Sequence, residues 1–307
     1  MSRVAYLYHM RHLKQSQIAQ QLDLSQATIS RLLRRAERDK IVKTTVNIPT
    51  NIHTELEDEL CSKYGLKSAI VVHCDDESDE AVIHHIGSAA AYYVETTLGR
   101  NEVVGLSSWS SALLAMVDAM HPLARASDAK VVQILGGMGE PSAEMYAARI
   151  TERFAALVQG EPVYLPAPGV VRSGEIRREL ETDVYVSEAL NCFEHITFAI
   201  VGIGSIEPSK LLASSGNVFS ANELSALKRA GAVGDICLRF YDAGGRQVAL
   251  PLDKRVVSIR LKQLVKANRI LALAGGKRKI EAIRGALAGG LVNTVITDQR
   301  TAGALMA

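Results

Sequence analysis

The sequence predicts an α/β protein in two parts: a small N-terminal helix-turn-helix domain and a larger, Rossmann-like α/β domain. Three observations predict it. Short β-branched runs alternate with helical stretches from residue 68 onward, a pair of short amphipathic helices separated by a tight break occupies Gln15–Leu33, and 48% of the 307 residues are apolar. Such alternation implies βαβ units and a largely parallel sheet covered on both faces. The length suits a small module plus a large domain. The boundaries read as 1–50 for the helical domain, 51–67 for a linker helix and 68–307 for the α/β domain.

The first element is a helix over Arg3–Leu13, which braces the two that follow. In QSQIAQQLDLSQATISRLL the apolar positions Ile18, Ala19, Leu22, Leu24, Ala27, Ile29, Leu32 and Leu33 fit two helices, with Leu22, Asp23 and Leu24 in the break. Ser16 is the expected cap of the first helix and Ser25 of the second, because a side-chain oxygen there accepts from unpaired first-turn amides. The small Ala19 suits a close helix crossing. The second helix carries Ser25, Gln26, Thr28, Ser30, Arg31, Arg34 and Arg35 around a thin apolar stripe. Polar and basic residues in that order suit a helix in the major groove, base edges first and phosphates after. An αα-hairpin packed on the large domain is the plain alternative.

Charge supports the first reading. The net charge is only +2, yet residues 1–50 hold nine Lys or Arg against three acids, giving +6 and leaving −4 for the remaining 257. Positive charge confined to one small end points to a polyanion. The stretch IVKTTVNIP then alternates like a wing or exit strand ending at Pro49, and Thr54–Lys63 reads as an acid-rich helix.

Strand runs in the large domain are SAIVVHC, EVVGL, AKVVQIL, EPVYLP, ITFAIVGIG, GDICLRFYD, VVSI, RILALAGG and NTVITD. Ligands of open parallel sheets bind beyond the carboxyl ends of the strands, so the loops after these runs hold the site. After EVVGL come Ser107, Ser108, Trp109, Ser110 and Ser111, opening an apolar helix; hydroxyls and amides at a helix N-terminus bind anions, although capping alone needs one serine. Trp109 is expected to pack rather than stack on a ligand. Gly136, Gly137 and Gly139, and Gly202 with Gly204, allow either close approach to a ligand or tight turns. Two glycines followed by Lys277, Arg278 and Lys279 at the start of the helix Ile280–Leu287 suit a phosphate. The motif differs from a Walker A loop, since no Ser or Thr follows the lysines. Asp235 and Asp298 stand near strand ends, where a carboxylate could accept from sugar hydroxyls; for Asp298 capping is the preferred reading.

Other classes are disfavoured. Cys61, Cys74, Cys192 and Cys237 form no C-x-x-C pair and read as buried free thiols, and the eight histidines supply no ligand-spaced cluster, so neither metal nor cofactor is expected. The chain shows no basic-then-apolar leader and no apolar run near the roughly 20 residues of a membrane span, so a cytoplasmic protein without a membrane role is expected. An isomerase or deaminase acting on a sugar phosphate, with Asp235 as base and Lys279 as clamp, is the enzymatic alternative. Against it, no second acid or histidine pairs with these loops; His84 and His85 read as surface or packing residues.

Taken in order, QSQIAQQLDLSQATISRLLRRA, VGLSSWSSALL, VYLPAP, VGIGS, GAVGDICLRFYDAGG, LALAGGKRKIEAIRGAL and VNTVITD make the chain resemble the SorC-type family of sugar-responsive bacterial regulators over nearly its whole length. The resemblance implies an effector domain like the sugar isomerase and CoA-transferase group without catalysis, dimers or tetramers on operator DNA, and a phosphorylated sugar or polyol effector. Carried over by position, the phosphate loop falls on Ser107, Ser108, Ser110 and Ser111, the effector acid on Asp235 and the effector lysine on Lys279. Ala112 departs from the pattern, where the family often has Thr.

Overall fold

Apolar runs become strands and the amphipathic stretches between them become helices in a computed structural model that describes residues 1–39, 41–42, 53–76 and 78–307. The chain divides into two units, Met1–Pro49 and Thr50–Ala307.

In the first unit, a helix over Ser2–Ala5 continues as a π-helical turn over Tyr6–Met10, followed by helices Gln15–Leu22 and Gln26–Arg38. Val4, Leu7, Ile18, Ala19, Ile29 and Leu33 form their shared core. The opening helix stops short of the expected Leu13, because His12 adopts a left-handed φ of 52°. Ser16 does not cap the next helix. Lys14 occupies the cap position with extended backbone, and its amide donates to Gln17 Oε1 at 2.9 Å, so the hydroxyl of Ser16 is left inside the first turn. Asp23 closes that helix at φ 54°, and Ser25 does cap the following one, its Oγ accepting from the Thr28 amide at 3.2 Å. The wing expected over residues 41–49 lies, beyond Ile41 and Val42, outside the described residues.

The second unit contains strands β1 (Ser68–Val72), β2 (Val103–Leu106), β3 (Lys130–Gln133), β4 (Glu161–Val163), β5 (Phe198–Gly202), β6 (Gly204–Ser205), β7 (Ala232–Ile236), β8 (Arg239–Asp242), β9 (Arg269–Leu273) and β10 (Thr294–Asp298). Seven form a parallel sheet in the order β1-β10-β9-β5-β2-β3-β4, and β6-β7-β8 form a small antiparallel sheet. Alternate residues of the large sheet feed two cores. Ala199, Val201, Ala272 and Val295 point to one, Phe198, Ile200, Leu271 and Ile296 to the other. Burial on both faces is what helices on each side of a parallel sheet require. Each fully buried Leu, Ile or Phe contributes roughly 1.5–3 kcal/mol relative to exposure, so the strands are committed to packing and the polar chemistry falls to the loops.

Three segments depart from the sequence reading. GDICLRFYD is a hairpin instead of one strand, because Cys237 and Leu238 take φ values of 52° and 62° and turn the chain back between β7 and β8. VVSI makes only isolated antiparallel bridges, Val256 with Val170 and Ser258 with Leu135. The helix Thr54–Tyr64, read as a linker, is fixed to the sheet: Leu60 is fully buried, Glu57 Oε1 accepts from the Val71 amide at 2.8 Å, and Lys63 Nζ and Tyr64 OH both donate to Leu305 O.

Candidate functional site

Strand order reverses between β5 and β2: the chain runs outward from β2 through β3 to β4, whereas β9 and β10 lie on the other side of β5. A crevice opens at such a switch point, beyond the carboxyl ends of the strands. Here it is a cavity of about 650 Å³ lined by the loops after β2, β5 and β9 and by the β7–β8 hairpin. That volume is within the range of small-molecule sites.

Ser107, Ser110, Ser111, Gly204, Asp235 and Lys279 all line it. Ser110 caps the helix Ser111–Ala119, its Oγ accepting from the Leu113 amide at 3.4 Å. Among the described residues, the amides of Ser111 and Ala112 find no protein acceptor, so the positive end of this helix faces the cavity with free donors. Gly202 is needed beside it: a Cβ there would stand 2.7 Å from Ser110 Oγ.

The loop after β9 supplies the cation. Gly276, at φ 90°, donates its amide to Asp298 Oδ2 at 2.8 Å and to Thr301 Oγ1 at 2.9 Å. Asp298 also caps the last helix through the amides of Arg300 and Thr301, as its sequence position suggested. This clamp turns Lys279 into the cavity, half-buried. Its ammonium has no hydrogen-bond partner among the described residues, and burial pushes its pKa down while the charge of Asp235 opposes that shift.

Asp235 is buried opposite. Its Oδ2 accepts from the Leu238 amide at 2.8 Å, while Oδ1 occupies the place that a side chain at Gly204 would fill, since β6 and β7 pair these two residues. Burial raises its pKa to about 6, with the Leu238 amide and the charge of Lys279 pulling in the other direction. Among the described residues, a carboxylate oxygen without a donor, an ammonium without an acceptor and two amides without acceptors therefore all belong to residues that line one cavity.

Three residues predicted for the site are not brought to it. The Ser108 hydroxyl is fully buried and donates to Leu135 O at 2.6 Å, bracing the loop. Gly136 and Gly137 pack against protein: a Cβ on Gly136 would lie 2.5 Å from Pro168 O, and one on Gly137 2.5 Å from Gln133 Nε2. They serve close packing of chain segments. Trp109 packs as expected, donating Nε1–H to Gly136 O at 2.9 Å while lining the cavity.

On the first unit, Ser25, Gln26, Arg31, Arg34 and Arg35 are exposed on the helix Gln26–Arg38 or its cap and Thr28 and Ser30 are half-exposed, while Ile29, Leu33 and Ala36 are buried. Arg35 pairs with Asp39 at 3.2 Å.

Residues 49–307 match the Sugar-bind family model, described as a sugar-binding domain. The chain belongs to the SorC-type family of sugar-binding transcriptional regulators. It is 33% identical to the deoxyribonucleoside regulator of Bacillus subtilis (strain 168), over 98% of this chain and 95% of that protein. To the sorbitol operon regulator of Klebsiella pneumoniae it is 29% identical, over 99% and 96%. The crystal structure of full-length SorC from K. pneumoniae superposes with a TM-score of 0.77 at 28% identity, over 99% of this chain and 97% of that one.

The cavity of this SorC-type regulator also contains residues that the sequence reading passed over. Cys237 and Leu238 line it although they look like strand interior, and their positive φ values leave no mark in composition. His84 stands at the rim, on the helix Asp79–Thr97, despite its distance in sequence from the loops. Asp79 meets Arg278 there at 3.9 Å. Packing of that helix against Ser111–Ala119 at Gly87 brings it over the site, a contact no local signal reveals.

Proposed function

We propose that the cavity takes a small phosphorylated sugar or polyol, and that this ligand controls binding of the N-terminal unit, a helix-turn-helix module, to operator DNA. The convergence of Lys279 and the free Ser111 and Ala112 amides with the buried Asp235 carboxylate carries the reading. Ammonium and amides suit a phosphate; a carboxylate oxygen with no donor among the described residues suits a hydroxyl. The names of the similar regulators, for sorbitol and deoxyribonucleosides, support a carbohydrate ligand.

The ligand is bound without turnover. Asp235 has already committed one oxygen to Leu238, and burial holds the Cys237 thiol up at about 12, far from a nucleophile. DNA contact falls to the exposed face of Gln26–Arg38, with Gln26, Thr28, Ser30 and Arg31 at base edges and Arg34 and Arg35 on phosphates. One such module contacts few base pairs, so the regulator acts as a dimer or a tetramer on paired half-sites.

A thermal-shift panel of pentose, hexose, deoxypentose and polyol phosphates beside their unphosphorylated forms tests this. A ligand at about one hundred times its Kd stabilises by about 2.7 kcal/mol. The phosphorylated form of one compound should shift melting and change operator affinity, and Lys279→Ala should weaken its binding roughly 10- to 150-fold while sparing operator binding. Equal response to both forms, or an unaffected Lys279 variant, refutes the phosphate assignment.

A further inference from the structure

The turn that follows Asp235 is an unusual one. Two-residue hairpin turns with positive φ at both positions favour Asn-Gly or Asp-Gly, because side chains with a Cβ strain in that conformation. Here the two residues are Cys237 and Leu238, both buried and both lining the cavity. Strain of this kind persists where the surroundings over-determine it, and it concentrates at ligand clamps.

What over-determines it is the next residue. Arg239 is 2% exposed, and all five of its guanidinium donors are used: Nε on Ile259 O, Nη1 on Asp253 O and Oδ1, and Nη2 on Val256 O and Ser258 O. Four of the five acceptors are backbone carbonyls, so the charge is spent on geometry more than on ion pairing. The segment it grips continues the path. Val257 O accepts from the Gly136 amide at 3.0 Å, and the Ile259 amide donates to Ile134 O at 2.9 Å. Leu135 O and Gly136 O in turn accept from Ser108 Oγ and Trp109 Nε1, within the serine loop. Ser107, at the head of that loop, and Cys237 both line the cavity.

We infer that Arg239 is a positioning residue for the effector site, fixing the strained Cys237–Leu238 turn, and with it the Asp235 carboxylate, at a set spacing from the serine loop. This rests on the cavity being the effector site. The phosphate end and the hydroxyl end of one ligand are then bound together only while this spacing holds. Inorganic phosphate, which meets only the serine loop and Lys279, is indifferent to it.

The experiment uses the full chain, Arg239→Lys and Arg239→Met, and two readouts. Iodoacetamide labelling of Cys237, located by peptide mass spectrometry, reports release of the turn, with buried Cys74 as the internal reference for global opening. Each Arg239 variant should label Cys237 at least about tenfold faster than the parent, with Cys74 unchanged. Labelling that stays at the parent level, or rises only in step with Cys74, overturns the inference. Trp109 fluorescence then follows titration with inorganic phosphate and with the sugar or polyol phosphate that gives the largest thermal shift. The variants should hold the phosphate Kd within about twofold and raise the other at least about tenfold; equal changes in both refute positioning. Should no phosphorylated sugar or polyol bind the parent, the effector reading fails while the labelling still decides what holds the turn. If neither Arg239 variant folds, Asp253→Asn withdraws one acceptor and keeps the carbonyls; Cys237 labelling should rise about threefold, and no rise overturns the inference.

Discussion

Replacing Asp235 with asparagine should stabilise the effector-free regulator while destroying its response. The carboxylate is buried, and burial lifts its pKa from the ordinary 3.8 to about 6. A group that binds its proton more tightly when folded adds stability at low pH and loses that contribution as pH rises through the folded value. The distance between 3.8 and about 6, at about 1.36 kcal/mol per pH unit, makes ionisation cost the neutral-pH fold about 3 kcal/mol. The cost is absent below about pH 4 and complete above about pH 7. Asparagine has the same shape and can still accept from the Leu238 amide, but it never ionises. Urea unfolding followed by the fluorescence of Trp109, the only tryptophan, should show the variant ahead of the parent by about 3 kcal/mol at about pH 7.5, and by about half of that near pH 5. Effector affinity should fall roughly 10- to 150-fold, the size of one charge-assisted hydrogen bond. A gain independent of pH, or no gain at neutral pH, refutes the desolvation account.

Gly204→Ala should weaken the effector response as strongly as the loss of Asp235, because the new methyl takes the place of Asp235 Oδ1; calorimetric titration of effector with parent-like affinity would count against this. Ser108→Ala should lower stability by about 1–3 kcal/mol, by leaving Leu135 O without its donor, yet keep effector affinity within about threefold; a larger affinity loss in the same titration would return Ser108 to the ligand. Arg31→Ala should weaken operator binding in a gel-shift assay without altering effector affinity. Arg34→Ala should weaken all DNA alike and reduce the salt slope by about one, and a sequence-dependent loss would instead place Arg34 at a base edge.

Much of this was legible in the residues. The alternation of apolar runs specified a parallel sheet, and helix-opening serines after EVVGL and cations after LALAGG marked loops where charge meets a helix end. Those signals are local: periodicity, capping and turn chemistry act within a few residues. They fail where a backbone choice is made against propensity. Cys237 and Leu238 read as strand because β-branched and apolar neighbours surround them, and the left-handed φ values that turn the chain there leave no mark in that local pattern. Gly136 and Gly137 fail for the converse reason, since a glycine required by close packing looks the same in sequence as one that admits a ligand. Ser108 and Ser110 are two positions apart in one motif, and the direction of a hydroxyl, into Leu135 O or toward the cavity rim, is set by the partner that the fold supplies. By itself, then, the sequence determined the layers, the switch-point loops and the residue types available for binding, because each depends on short-range pattern. The tertiary structure alone decided which of those residues share a cavity and how acidic Asp235 is, because burial and spacing are properties of segments brought together from distant parts of the chain.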